Sequence, residues 1–222
     1  MKHRWTAALL ALALVLALPF SAAAETFSTE DFTMEIPEGT YVFTPTTSTE
    51  DPNWAMAGVA NPESELSTLA EMNGVAELVT EDGETTILVQ QQESDQTQAC
   101  FNLRYLTEKQ QADFLDAIMQ SQTDEITVDK YYLDVDGQPF YRIRIDGTYQ
   151  ETGYHELIYG TIVNGFTLAF NIYGGEESVT QEQEDLLLGI VESVQFSEIL
   201  PKPETTVDTS DIVTTISLLV LL

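Results

Sequence analysis

Arg142 and Arg144 sit two residues apart in Tyr141-Arg142-Ile143-Arg144-Ile145-Asp146. In an extended segment that spacing puts both guanidiniums on one face. Side by side they can hold an anionic ligand or an acidic protein surface, or be spent on ion pairs with acidic neighbouring strands. In so acidic a chain the ion pairs are the favoured use. Tyr131, Tyr132, Tyr141, Tyr149, Tyr154, Tyr159 and Tyr173 crowd the same region. Most are suited to filling a sheet core, and a rim cluster would offer a protein-binding or glycan-stacking face. Arg142, Arg144, Tyr149, Tyr154 and His155 are the candidate interaction surface.

No catalytic set assembles from what remains. A hydrolytic triad needs a nucleophile, a base and an orienting group. His155 is the one histidine after His3, in Tyr154-His155-Glu156, and reads as a surface or turn residue. Zinc normally gathers three or four Cys, His or carboxylate ligands, against one Cys and one distal His here. Gly174-Gly175 is followed by Glu176 and Glu177, which repel phosphate. Asp134-Val135-Asp136-Gly137-Gln138 opens like a calcium loop but lacks its terminal Glu, and a tight turn explains it as well. Carboxylate pairs are too abundant for any one to be chosen. No catalytic, cofactor or metal residue is therefore assigned. Cys100 is the single cysteine, so no internal disulfide staples the fold, and its apolar setting beside a helix start suits a buried, inert thiol.

Charge and the amino terminus bound the setting. Lys2, His3 and Arg4 precede an apolar run from Ala7 to Phe20, then Ser21-Ala22-Ala23-Ala24-Glu25, the layout of a signal peptide cleaved after Ala24. Removing residues 1–24 leaves all 37 Asp and Glu against six of the eight Lys and Arg. A field of that sign repels nucleic acid and anionic lipid. It permits weak divalent-cation association and keeps an exported protein soluble.

The elements that must position these residues follow from pattern. Residues 25–29 read as a polar lead. Phe32, Met34 and Ile36 alternate as a strand, and Pro37-Glu38-Gly39 turns the chain into Tyr41-Val42-Phe43. Trp54 to Ala60 reads as a short strand ended by Asn61-Pro62, and Ser64 to Met72 as a short helix. A hairpin turns at Asp82-Gly83. Gln90 to Gln98 reads as a solvated strand end and loop. Thr107 and Gln110 form a capping box ahead of a helix over 108–120 whose stripe is Phe114, Leu115, Ile118 and Met119. Strands over 126–134, 139–149, 156–163 and 166–173 are joined by turns at Asp136-Gly137, near Gly153, and at Asn164-Gly165. Thr180 and Gln183 cap a second helix carrying Leu186, Leu187, Ile190, Val191 and Val194, and a strand from Val194 to Ile199 closes the domain. The order specifies one α+β domain over residues 30–199. An acidic spacer, 200–211, leads to an apolar tail, 212–222. Eleven residues span about half a bilayer core as helix. The tail reads as the start of a longer membrane anchor, a peripheral or partner-bound segment, or a frayed end.

Three stretches carry a resemblance: Phe32-Thr33-Met34-Glu35-Ile36-Pro37-Glu38-Gly39, Gly165-Phe166-Thr167-Leu168-Ala169-Phe170, and Leu187-Leu188-Gly189-Ile190-Val191-Glu192-Ser193-Val194-Gln195-Phe196. In this order the chain resembles the PsbP/MOG/DcrB-like superfamily over residues 30–199. The resemblance implies an α/β/α sandwich, with an antiparallel sheet of about six strands flanked by helices. It also implies proteins that bind other proteins or assist complexes, with no shared catalytic set to carry over. Lipoprotein members begin their mature part at a lipidated Cys, and Ala24-Glu25 departs from that. The functional expectation is an exported, non-catalytic protein-binding or envelope-complex accessory domain, located outside the cytoplasm or at the cell surface. The partner is an unidentified envelope or extracellular protein, and residues 212–222 are the segment that could reach a membrane. The alternative is a carboxylate-based hydrolase or glycan-binding module of the cell surface.

Overall fold

The computed structural model describes residues 25–118, 126–149 and 151–204. The expected leader (1–24), most of the spacer and the apolar tail (205–222), Met119 and the side chains of Ile118 and Tyr149 lie outside the described residues.

Three turns set the frame of the large sheet. Asp136-Gly137 has φ of 50° and 80°, and Asn164-Gly165 has φ of 51° and 85°. Both are two-residue turns in the left-handed region, whose twist matches that of antiparallel strands. They fold β6 (Ile126–Val135) onto β7 (Gln138–Tyr149) and β8 (Thr152–Val163) onto β9 (Phe166–Gly175). The third turn, around Asp82-Gly83, joins β4 (Gly74–Thr80) to β5 (Thr86–Glu93). With β3 (Thr40–Phe43) these make a seven-stranded antiparallel sheet, ordered β3-β4-β5-β9-β8-β7-β6. A second sheet holds β1 (Glu25–Ser28), β2 (Phe32–Ile36) and β10 (Gln195–Phe196), with β2 central.

Strand alternation sends side chains to two covered faces. On one, Leu78, Val89, Phe140, Leu157, Tyr159, Leu168 and Phe170 pack under Phe32, Met34 and Ile36 of the small sheet and under Leu187, Ile190 and Val191 of α5 (Gln181–Glu192). On the other, Tyr141, Ile143, Ile145, Ile158 and Ile162 pack under Cys100, Leu103, Phe114 and Leu115. These come from α3 (Asp95–Cys100), a 3₁₀ turn (Leu103–Tyr105) and α4 (Glu108–Ile118). A third cluster joins Phe43 and Val79 to Trp54 and Ala57, next to α1 (Pro52–Met56) and α2 (Pro62–Glu71). The result is the expected α+β sandwich with covering layers on both sides of an antiparallel sheet, one strand wider than the expected six.

Four local expectations are corrected. Residues 25–28 form β1, paired in register with β2 from Glu25 opposite Ile36 to Ser28 opposite Thr33. Trp54 lies in a helix, because Asp51 Oδ1 accepts from the Asn53 amide at 2.8 Å and Pro52 occupies the first turn. The aromatic residue suggested a strand, but the cap decides. Asn61 then caps α2 instead of ending an element. Gln90 to Glu93 belong to β5 in the middle of the sheet, opposite Ala169 to Phe166, and α3 follows at once through a Ser94/Thr97 capping box. Cys100 therefore ends a helix. The closing strand is limited to Gln195–Phe196, paired with Thr33 and Phe32.

Candidate functional site

Strand β7 places Arg142 and Arg144 on the face that carries α5, with Asp129 of β6 next to Arg144 and Tyr159 of β8 next to Arg142 across the ladder. Thr180 caps α5 through its side chain, accepting from the Gln183 amide. That cap fixes Glu184 in the first full turn, pointing inward in line with Leu187 and Val191.

Glu184 is the centre of the cluster. It accepts from Arg142 Nε at 2.7 Å, from Arg144 Nη1 at 3.1 Å and from the Tyr159 hydroxyl at 3.2 Å. Arg142 also donates to Asp129 at 2.8 Å, and its guanidinium lies 5.1 Å from the centre of the Tyr131 ring. Arg144 donates to Asp146 at 2.7 Å and to the Val179 carbonyl at 2.7 Å. His155 Nδ1 meets Asp146 Oδ1 at 2.8 Å and Ser178 Oγ at 3.2 Å. The Arg142 side chain is 6% exposed and Glu184 10%. Both carboxyls, Glu184 and Asp146, lie below the usual carboxylate range. Burial works against that shift, and hydrogen bonds from Arg142 to Glu184 and from Arg144 and His155 to Asp146 outweigh it. The Arg142 guanidinium is desolvated as well, and Glu184 more than compensates, holding it firmly charged.

Arg142, Arg144 and His155 each meet an acid within the protein. Ser178, His155 and Asp146 contain the residue types of a hydrolase triad, but Ser178 and Asp146 both meet the same ring nitrogen, Nδ1. A relay bonds the ring through its two different nitrogens. The group is a brace between β7, β8 and the loop before α5.

The candidate surface residues thus divide. Arg142 is buried and committed to ion pairs, and Arg144 is largely enclosed, so the ion-pair use holds for both and Arg142 presents no open surface. His155, read as a surface or turn residue, has a side chain only 15% exposed, because the bulge at His155/Glu156 turns it into the cluster. Tyr154 lies on the opposite face, its hydroxyl donating to Glu156 at 2.6 Å and its ring 5.5 Å from that of Tyr173. Burial raises the Glu156 carboxyl above its usual range. Tyr149 lies in β7. Sequence reading missed Glu184, although a signal existed: an acid occupies a position three and seven residues before Leu187 and Val191, on the buried stripe of its helix.

Among the described residues, no group of three or more His, Cys, Asp or Glu side chains converges to hold a metal ion. Nor is any helix long and apolar enough to cross a membrane.

These features define an antiparallel α+β domain in which Arg142, Arg144, Asp129, Asp146, His155 and Glu184 form one hydrogen-bonded network. No protein-family model matches the chain, and no curated protein matches it in sequence. Among solved structures, the solution structure of cyanobacterial PsbP (CyanoP) from Synechocystis sp. PCC 6803 is similar, with a TM-score of 0.44 and 11% identity. The match covers 80% of this chain and 95% of that one.

Proposed function

We propose that this chain is an exported, non-catalytic binding domain of the cell envelope, whose partner presents a basic protein surface. One observation carries this reading: the three cations of the large sheet, Lys130, Arg142 and Arg144, are enclosed, and acids far outnumber the cations left at the surface. Arg142 and Arg144 are enclosed by Glu184, Asp129 and Asp146. Lys130 is folded onto the Leu115 carbonyl at 2.7 Å. The other three basic residues after residue 24 are exposed: Lys109, paired with Asp113 at the surface, Arg104 and Lys202. The outer surface is left strongly negative, which favours a basic partner and speeds encounter with it.

The test is capture from a gently crosslinked native envelope, using the chain from residue 25 onward beside a charge-matched acidic control. A saturable, salt-sensitive partner absent from the control supports the reading. Recovery of nothing beyond the control overturns it. A glycan-binding reading has one observation of its own, the Tyr154–Tyr173 pair, with Tyr173 62% exposed beside Glu156. Ring-current shifts at Tyr173 on titration with envelope oligosaccharides would favour it.

A further inference from the structure

β6 is the outer strand of the large sheet, and it is not built as a protected edge. It is ten residues long and pairs with β7 at every position without a register shift, whereas β3 at the opposite edge has four residues. It contains no proline. A long, regular edge is a template for another strand unless something blocks it.

The turn at Asp136-Gly137 fixes which backbone groups are open. In a two-residue hairpin the flanking pair, here Val135 and Gln138, exchanges both hydrogen bonds, and bonding alternates from there. The odd-numbered residues of β6 thus bond β7. The amides and carbonyls of Ile126, Val128, Lys130, Tyr132 and Asp134 face outward, and among the described residues no strand meets them.

Lys130 is the charge that could guard this edge. Its ammonium instead donates to the Leu115 carbonyl at 2.7 Å and pairs with Asp116 at 3.3 Å, leaving its side chain 18% exposed. On the other face, Tyr131 is 45% exposed and Asp129, though bonded to Arg142, is 68% exposed; Asp134, exposed toward the turn, is in no ion pair among the described residues. Cation–π contact with Arg142 positions the Tyr131 ring. The edge therefore offers open backbone, an aromatic shelf and negative charge.

We propose that β6 accepts an extended, basic segment of a partner protein as an eighth strand of the sheet. Main-chain bonds would supply affinity, and the acids beside the edge would select a lysine- or arginine-bearing strand. A second copy of this chain does not suit the edge, because the formal net charge of −29 makes two copies repel. This inference rests on the binding reading above and adds its place and mode.

The experiment uses the chain from residue 25 onward and hydrogen exchange read residue by residue, with an alternating Lys-Val decapeptide as probe. Saturating peptide is expected to slow exchange about tenfold at Val128, Lys130 and Tyr132. A Glu-Val decapeptide, and the Lys-Val peptide N-methylated at alternate residues, should not. Thr127→Lys should weaken binding about threefold and Thr127→Glu strengthen it, since Thr127 is exposed and charge pairs across strands are worth a few tenths of a kcal/mol or more. Val128→Pro removes an outward amide, at the cost of some packing on the Tyr141–Ile143 cluster, and should abolish protection; the Thr127 pair keeps the test decisive if that variant fails to fold. Protection elsewhere, equal protection by the N-methylated peptide, or no protection at all overturns the proposal. If an envelope partner is captured equally well by the Thr127→Lys and Val128→Pro variants, the binding reading stands and β6 is not its site.

Discussion

Replacing Glu184 by alanine tests whether the charged cluster braces the fold. The substitution removes three accepted hydrogen bonds, from Arg142, Arg144 and Tyr159. It leaves the Arg142 guanidinium, 6% exposed, without its closest partner. Breaking a buried pair from one side costs about 3–5 kcal/mol, because the surviving charge is stranded. Arg142 keeps Asp129 at 2.8 Å, and Arg144 keeps Asp146 and the Val179 carbonyl, which puts the loss at the lower end. A cost of about 3 kcal/mol is expected, a large part of the about 5–15 kcal/mol by which domains are stable. With a urea slope of about 2 kcal/mol/M, the midpoint should fall by about 1.5 M at unchanged slope. Fluorescence reports it cleanly: beyond the leader Trp54 is the one tryptophan, 2% exposed and stacked on Phe43 at 3.6 Å. The companion variant Arg142→Met with Glu184→Met removes both charges and should recover most of the loss, since well-packed apolar replacements of buried pairs are often neutral. A cost below about 1 kcal/mol for Glu184→Ala, or a double variant no more stable than the single one, would refute the brace.

The remaining predictions concern single groups. Burial raises the Glu156 carboxyl above 4.5, so the folded state binds its proton more tightly than the unfolded one, and the stability this confers at low pH is lost as pH rises through the raised value. Glu156→Gln should therefore stabilise the protein at pH 8 and flatten that part of the stability–pH curve measured by urea titration. Asp146 and Glu184 act with the opposite sign: their contribution is present above 3.8 and 4.5, respectively, and lost as pH falls through their lower folded values, so Asp146→Asn should shrink the acid-side loss of stability. Burial pushes the Cys100 thiol up to about 12, and the residue is 5% exposed. Disulfide-exchange reagents at pH 8 should label it at least about a hundredfold faster in urea than in the folded chain. Gly137 has φ of 80°, and alanine there should cost about 1–2 kcal/mol, read as a thermal midpoint lower by about 4 °C.

The parts of this structure that could be read from sequence are those where a local signal and a tertiary demand agree. Asn164-Gly165 and Asp136-Gly137 appear as the turns that they are, and the alternation of Tyr141, Ile143 and Ile145 against Arg142, Arg144 and Asp146 gives the two faces of β7. The misreadings have a common cause. Gln90 to Glu93 look solvated by composition, yet they pair with Phe166 to Ala169 because β5 is needed between β4 and β9. Strand order is a long-range property, and the next strand over is contributed some 75 residues later. Glu25 to Ser28 likewise need β2 to be a strand. The arginine pairs were legible as a class, but Glu184 was not identified as their acceptor, since its partners lie 40 and 42 residues away.

The inward cations connect stability to recognition. Arg142 and Arg144 are held by acids from β6, β7 and α5, so their charges are offset internally and the acids elsewhere dominate the surface. A domain could instead pair its few cations at the surface, where each pair is worth little and is screened by salt. Enclosing Arg142 and Arg144 makes their pairs firmer and leaves the acids in large excess over Arg104, Lys109 and Lys202 at the surface. Net repulsion, with Asp129 and Asp134 on the strand itself, limits self-association along the open β6 edge. The same field that turns away a second copy attracts a basic strand. An open edge is thus compatible with a strongly acidic domain, and salt that weakens partner binding would also weaken its protection against self-pairing.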